Sequence, residues 1–120
     1  MKEVQYLISQ LGQQPGFSTV VLTDASGLSM ATAGDLQTAQ ALAAIVAEVL
    51  RVICRAGERL EMSPLSEMML LSQDAREGVL YRQFEAGGRS LVLAMVIQPN
   101  YTYWPATSQV IRKIQQLLQK

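Results

Sequence analysis

The side chains able to do chemistry are few and poorly grouped. The sequence has no histidine and a single cysteine, Cys54, which removes His-based triads, the common zinc sites and any internal disulfide framework. Glu67 and Glu85 fall in separate strand-like stretches with no nucleophile beside them, so general acid–base work lacks a constellation. Asp24 and Ser26 share a short polar turn, but one carboxylate is far below the roughly six oxygens that calcium takes, and a plain turn accounts for them. No glycine-rich loop ending in Lys-Ser or Lys-Thr is present, so the chain is not itself a P-loop nucleotide hydrolase. Cys54 lies in an apolar helical run, where cysteine behaves as a small hydrophobe; its neighbour Arg55 keeps a reactive thiol as the second reading. No catalytic residue, metal ligand or cofactor is expected.

What remains suits contact with other proteins. Tyr101, Tyr103 and Trp104 form a dense aromatic patch beside Pro105, readable as a partner contact or as a cap over the core. Arg76, Arg82 and Arg89 surround the later strands. An arginine offered in trans could stabilise charge on a transferred phosphoryl group, while a solvated charged hairpin that discourages edge pairing explains them equally simply. Met62, Met68 and Met69 could fill a pliable interface or pack in the core.

The elements that must position these residues follow from periodicity. Val4, Leu7, Ile8 and Leu11 mark a helix over residues 2–12, stopped by Gly12 and Pro15-Gly16. Residues 17–23 are rich in β-branched types, and Asp24-Ala25-Ser26-Gly27 turns the chain back into residues 28–33 as a first hairpin. Asp35 or Thr38 caps a long helix reaching about Gly57. Strands are expected at 65–72, 79–85 and 89–97, the last two joined by the hairpin signal Gly87-Gly88. The stretch Ser90 to Ile97 is apolar on both faces, as in a central strand covered on each side by helices. Val110, Ile111, Ile114, Leu117 and Leu118 form the apolar face of a final helix.

The long helix is the most informative element. Between Ala39 and Ala56 its only polar residues are Gln40, Glu48, Arg51 and Arg55, which at about 100° per residue fall within an arc of roughly 80°. A helix apolar around nearly its whole circumference needs cover on more than one side. The bulky residues Leu42, Ile45, Val49 and Val52 are assigned to the domain's own sheet. The small flank of Ala39, Ala43, Ala47 and Cys54, with Leu50 among them, is assigned to a partner, which could be a second copy. A membrane span is disfavoured by Glu48, Arg51 and Arg55.

Length and charge set the frame. With 120 residues, 49% hydrophobic, the chain is the size of one domain. Ten basic residues balance ten acidic ones, which gives no electrostatic reason for nucleic acid or an anionic membrane surface as partner. The first fourteen residues do not read as an export signal, so the cytoplasm is the expected compartment.

The order helix, two strands, helix, three strands, helix resembles the Roadblock/dynein light chain family over nearly the whole chain. Pro15-Gly16-Phe17 entering the first strand, the Asp24 to Gly27 turn, the Ala-rich helix, the strand triplet and the amphipathic last helix carry the likeness. It implies a single α/β (α+β) domain over 1–120, of profilin-like type, with a five-stranded antiparallel sheet and helices on both faces. It also implies a homodimer paired through the long helix and the following strand. Met68 and Leu70 then join Ala39, Ala43, Ala47, Leu50 and Cys54 at the interface. The segment Asn100 to Ala106 is more aromatic than the family pattern, and further contacts from a tail beyond Lys120 are not expected. The resemblance therefore implies the class of partner, not its identity.

Bacterial members of similar length resemble a regulator of a gliding-motility Ras-like GTPase. The expectation is thus a non-enzymatic homodimeric adaptor that binds a small Ras-like GTPase and modulates its nucleotide cycle, with Tyr101, Tyr103, Trp104, Arg76 and Arg82 as possible contacts. A light-chain-like scaffold with no effect on GTP turnover is the alternative, and a small-molecule sensor ranks behind both.

Overall fold

The computed structural model describes residues 2–119; Met1 and Lys120, the ends of the expected domain, lie outside the described residues. The elements in chain order are α1 (Lys2–Gly12), β1 (Phe17–Asp24), β2 (Ser29–Ala33), α2 (Leu36–Ala44), α3 (Val46–Arg59), β3 (Glu67–Leu71), β4 (Gly78–Ala86), β5 (Arg89–Ile97) and α4 (Trp104–Leu117). The five strands form one antiparallel sheet in the order β2-β1-β5-β4-β3. β5 is central, as its composition predicts.

Strand alternation divides the interior into two cores. Leu91, Leu93, Met95 and Ile97 of β5 point to one face, where they meet Val4, Leu7, Ile8 and Leu11 of α1 and Val110, Ile111 and Ile114 of α4. Val92 and Ala94 point to the other, where Ala39, Leu42 and Ala43 of α2 and Val46, Val49 and Ile53 of α3 cover them together with Val21 and Tyr81. Burying each large aliphatic side chain contributes about 1.5–3 kcal/mol, so both layers are anchored through the same strand. Gly87 and Gly88 both have positive φ, 60° and 75°. They make the tight two-residue turn that sets Ala86 opposite Arg89 and fixes the β4–β5 register.

The long helix is not continuous. α2 begins at Asp35, whose carboxylate accepts from the Thr38 N–H at 2.9 Å and the Thr38 hydroxyl at 2.7 Å. It ends at Ile45, where φ is −107° and ψ 8°, before α3 starts. Two outside contacts fall on the carbonyls just before the break. The buried Tyr81 hydroxyl donates to Leu42 O at 3.0 Å, and a Cβ at Gly27 would lie 2.5 Å from Ala43 O, so the β1–β2 turn approaches this backbone as only glycine allows. Burial pushes the Tyr81 phenol up to about 12, so it remains a neutral donor at ordinary pH. Tyr81→Phe is expected to lower the unfolding free energy by about 1–2 kcal/mol in urea titrations, because a buried carbonyl loses its donor. A loss below about 0.3 kcal/mol would show that the hydroxyl does not matter to this junction.

Candidate functional site

β3 is a free edge of the sheet. Ser66 O accepts from Gln83 N at 2.8 Å and Ser72 N donates to Glu77 O at 2.9 Å, so the intervening ladder turns the N–H and C=O groups of Glu67, Met69 and Leu71 outward. Met68 and Leu70 stand opposite Tyr81 and Val79, which places them on the sheet face that α2 and α3 cover. Met68 is half-buried against the second core, and Leu70 is 47% exposed. α3 packs against β3 and β4, and around it Ile45, Val52, Leu60 and Met62 are exposed large hydrophobics, while the exposed Leu71 lies on the opposite face of the β3 edge. A concentration of such residues beside an unpaired edge is the mark of an interaction surface.

The expected assignment of the helix flanks needs correction here. Ala39 and Ala43, given to a partner on sequence grounds, are buried in the chain's own second core. Their small side chains let α2 approach its own sheet and the Gly27 turn, rather than a second helix. Conversely Ile45 and Val52, given to the sheet, are 40% and 53% exposed. Ala47 and Cys54 are exposed and Leu50 half-buried, so these three keep the surface position expected of them. Leu71 is exposed as well, on the opposite face of β3, as strand alternation after Leu70 requires. Ile45 and Val52 carried no such signal, because bulky β-branched residues in a helix read as core.

The aromatic patch and the three arginines are sorted by the fold. Arg82, expected to be available to a partner, is not: its side chain is 12% exposed and 3.5 Å from the Glu67 carboxylate. Its Nη1 donates to Thr107 Oγ1 at 2.7 Å and Ser108 Oγ at 2.9 Å, and its guanidinium lies 3.9 Å above the Trp104 ring. The residue holds the start of α4 against β3 and β4, contacts invisible in the local pattern. Trp104 is 51% exposed on its other side. Pro105 sits in the first turn of α4, where its missing N–H has no helical partner to lose, so the helix begins earlier than its apolar periodicity implies. Tyr103 packs against the first core. Tyr101 is exposed and lies over Gly16, where a Cβ would stand 2.6 Å from its own Cβ. Arg76 projects from the β3–β4 turn, 86% exposed, with Asp74 3.9 Å away. Arg89 is 3.9 Å from Asp24.

The remaining polar groups serve local turns. The Asp24 carboxylate accepts from Ser26 Oγ at 2.6 Å, Ser26 N at 2.9 Å and Leu28 N at 3.0 Å. The Cys54 thiol is exposed, with Glu58 3.9 Å away. Among the described residues no group of three or more His, Cys, Asp or Glu is placed to hold a metal ion, and no helix is long and apolar enough to cross a membrane. An open groove of about 570 Å³ runs between α1 and α4, lined by Tyr6, Leu7 and Leu117 with Lys2, Glu3, Lys113 and Gln116 at its rim.

These turn carboxylates set an acid limit on stability. Asp24 is held below the ordinary carboxyl value of 3.8 by the Ser26 hydroxyl and then the Leu28 N–H, and Asp35 by the Thr38 hydroxyl and then its N–H. Asp74 is lowered by the Arg76 N–H and then the Ser72 hydroxyl. With folded values below unfolded ones, the stabilisation is fully present above the unfolded value and is lost as pH falls through the folded values. Urea midpoints are therefore expected to hold steady from neutrality to about pH 5 and to drop below it, the drop shrinking in Asp24→Asn. An unchanged acid limb in that variant contradicts this account.

This geometry can be set beside known structures. A Roadblock/LC7 domain from Streptomyces avermitilis superposes with a TM-score of 0.79 over 97% of this chain and 98% of that one, at 17% identity. The chain has the Roadblock/LC7 fold. MglB from Myxococcus xanthus matches with a TM-score of 0.71 at 16% identity, covering 98% of this chain and 94% of that chain. The gliding protein MglB from Thermus thermophilus matches at 0.69 and 15%, covering 98% and 86%. No family model and no curated protein matches the sequence. The Roadblock/LC7 fold accounts for the strand order and for helices on both faces; at these identities the likeness speaks to architecture alone.

Proposed function

We infer that this chain is a regulatory adaptor that pairs with a second copy through α3 and the β3 edge and, as that dimer, binds a small Ras-like GTPase and modulates its nucleotide cycle. The observation that carries the reading is the exposed apolar surface that Val52 of α3 forms with Leu70 of β3, the edge strand whose outward backbone groups stand open among the described residues. A second copy offers the same strand and the same surface, so a two-fold axis there satisfies both at once. Similarity to MglB supports a GTPase as the regulated partner. With Arg82 committed to Glu67 and α4, Arg76 is the one of these two arginines left exposed to a partner. The dimer acts by favouring one switch conformation of the GTPase.

The test has two parts. Light scattering at micromolar concentration is expected to give the mass of two chains. The Ras-like GTPase recovered with the protein from its native cell is then assayed for hydrolysis and exchange with and without the dimer. Rates unchanged in both assays, with binding intact, establish the scaffold reading instead.

A further inference from the structure

The two edges of the sheet are treated differently. β2 is the second edge, and Thr32, near its centre, stands opposite Val21 with its backbone N–H and C=O turned away from β1. Both groups are already occupied. The Gln5 side chain, on α1, donates from Nε2 to Thr32 O at 2.7 Å and accepts from Thr32 N at Oε1 at 3.3 Å. Ser9 Oγ steadies the same amide at 3.0 Å from Nε2. A carboxamide offers N–H donors and a C=O acceptor in one plane, and one N–H with the C=O, turned to Thr32, reproduces the pair that a neighbouring strand would present, while the second N–H goes to Ser9. Gln5 therefore stands where the N–H and C=O of one residue of a sixth strand would stand.

β3 carries no comparable guard. Its sequence, Glu67-Met68-Met69-Leu70-Leu71, has neither lysine nor proline, the residues that commonly blunt an edge. No side-chain hydrogen bond among the described residues reaches the outward backbone groups of Met69 or Leu71. The outward groups of Thr32 on the β2 edge are taken by a side chain, and those of Met69 and Leu71 on β3 are not.

We propose that Gln5 is the residue that stops assembly at two subunits: by occupying Thr32 it keeps the β2 edge from pairing, so sheet extension proceeds through β3 only. A chain with two open edges would add copies head to tail or edge to edge without closure, whereas one open edge gives a self-limiting two-fold pair. The proposal rests on the homodimer reading for the use of β3, but its own observation, the Gln5–Thr32 pairing, is independent of it.

The experiment compares wild type, Gln5→Ala and Gln5→Ala/Thr32→Pro by light scattering over a concentration series, with circular dichroism confirming that each is folded. Wild type is expected to keep a constant dimer mass. Gln5→Ala is expected to show a weight-average mass that climbs with concentration, roughly doubling or more as further edges pair. Thr32→Pro removes the outward N–H without touching the β1 ladder, so the double variant is expected to return to the dimer. Should the alanine variant lose its fold, Gln5→Asn, one methylene too short to reach both groups, gives the same readout. A folded Gln5 variant that stays a dimer at every concentration overturns the proposal and leaves the homodimer reading standing. A monomeric wild type whose Gln5→Ala variant pairs, with proline at position 32 abolishing that pairing, removes the β3 homodimer and keeps the role of Gln5.

Discussion

Leu70→Glu is expected to raise the dissociation constant of the proposed homodimer at least a hundredfold, equivalent to about 2.8 kcal/mol of lost association. Leu70 is 47% exposed and sits on the free edge strand, on the face shared with α3. In the monomer its replacement removes little packing. In the dimer it sets a carboxylate in a surface that must be dry to contribute, where an uncompensated charge is heavily penalised. Sedimentation equilibrium should therefore separate two quantities: the dimer constant shifts strongly while the urea midpoint of the isolated monomer moves little. Equal dimerisation by variant and wild type would remove β3 from the interface. A GTPase effect lost together with the dimer would show that the partner reads the paired form.

Arg82→Ala is expected to lower the unfolding free energy by about 3 kcal/mol, the largest effect of any single charged residue in the chain. The guanidinium contacts Glu67, Thr107, Ser108 and the Trp104 ring, all from a side chain 12% exposed. Deleting it leaves a 27% exposed Glu67 carboxylate without its cation and uncovers one face of Trp104. Arg82→Lys keeps the charge but loses the planar stack and the shared donation from Nη1, and about half the loss is expected. A double-mutant cycle with Glu67→Gln isolates the ion pair, with a coupling of about 1 kcal/mol anticipated. Chemical denaturation of the four proteins decides the matter. A loss below about 1 kcal/mol for Arg82→Ala would mean that the α4 start is held by its apolar contacts alone.

Both predictions turn on side chains whose settings the sequence discloses unequally. The architecture was legible because its signals are local: the diglycine at 87–88, the β-branched run at 17–23 and the two-faced apolar stretch of β5 each fix an element within a few residues. The central position of β5 followed from composition alone. The break at Ile45 was not legible, since the donor on the Leu42 carbonyl comes from Tyr81, 39 residues further along the chain. Arg82 was misread for the same reason, its hydroxyl partners lying 25 and 26 residues away. The error over Ala39 and Ala43 has a different origin. A small side chain says that something comes close, but not whether it is a neighbouring helix or the domain's own sheet. Of the proposed interface candidates, Leu70 is exposed on the free edge strand, where a short strand leaves few ways to hide both of two successive leucines.

Tyr81 and Arg82 are consecutive on β4 and point to opposite faces of the sheet. The first is hydrogen-bonded to the end of α2 and the second to the beginning of α4. The strand thus acts as a crossbar bolted to both outer decks. Moving α2 or the start of α4 over the sheet therefore means first drawing one of those bolts.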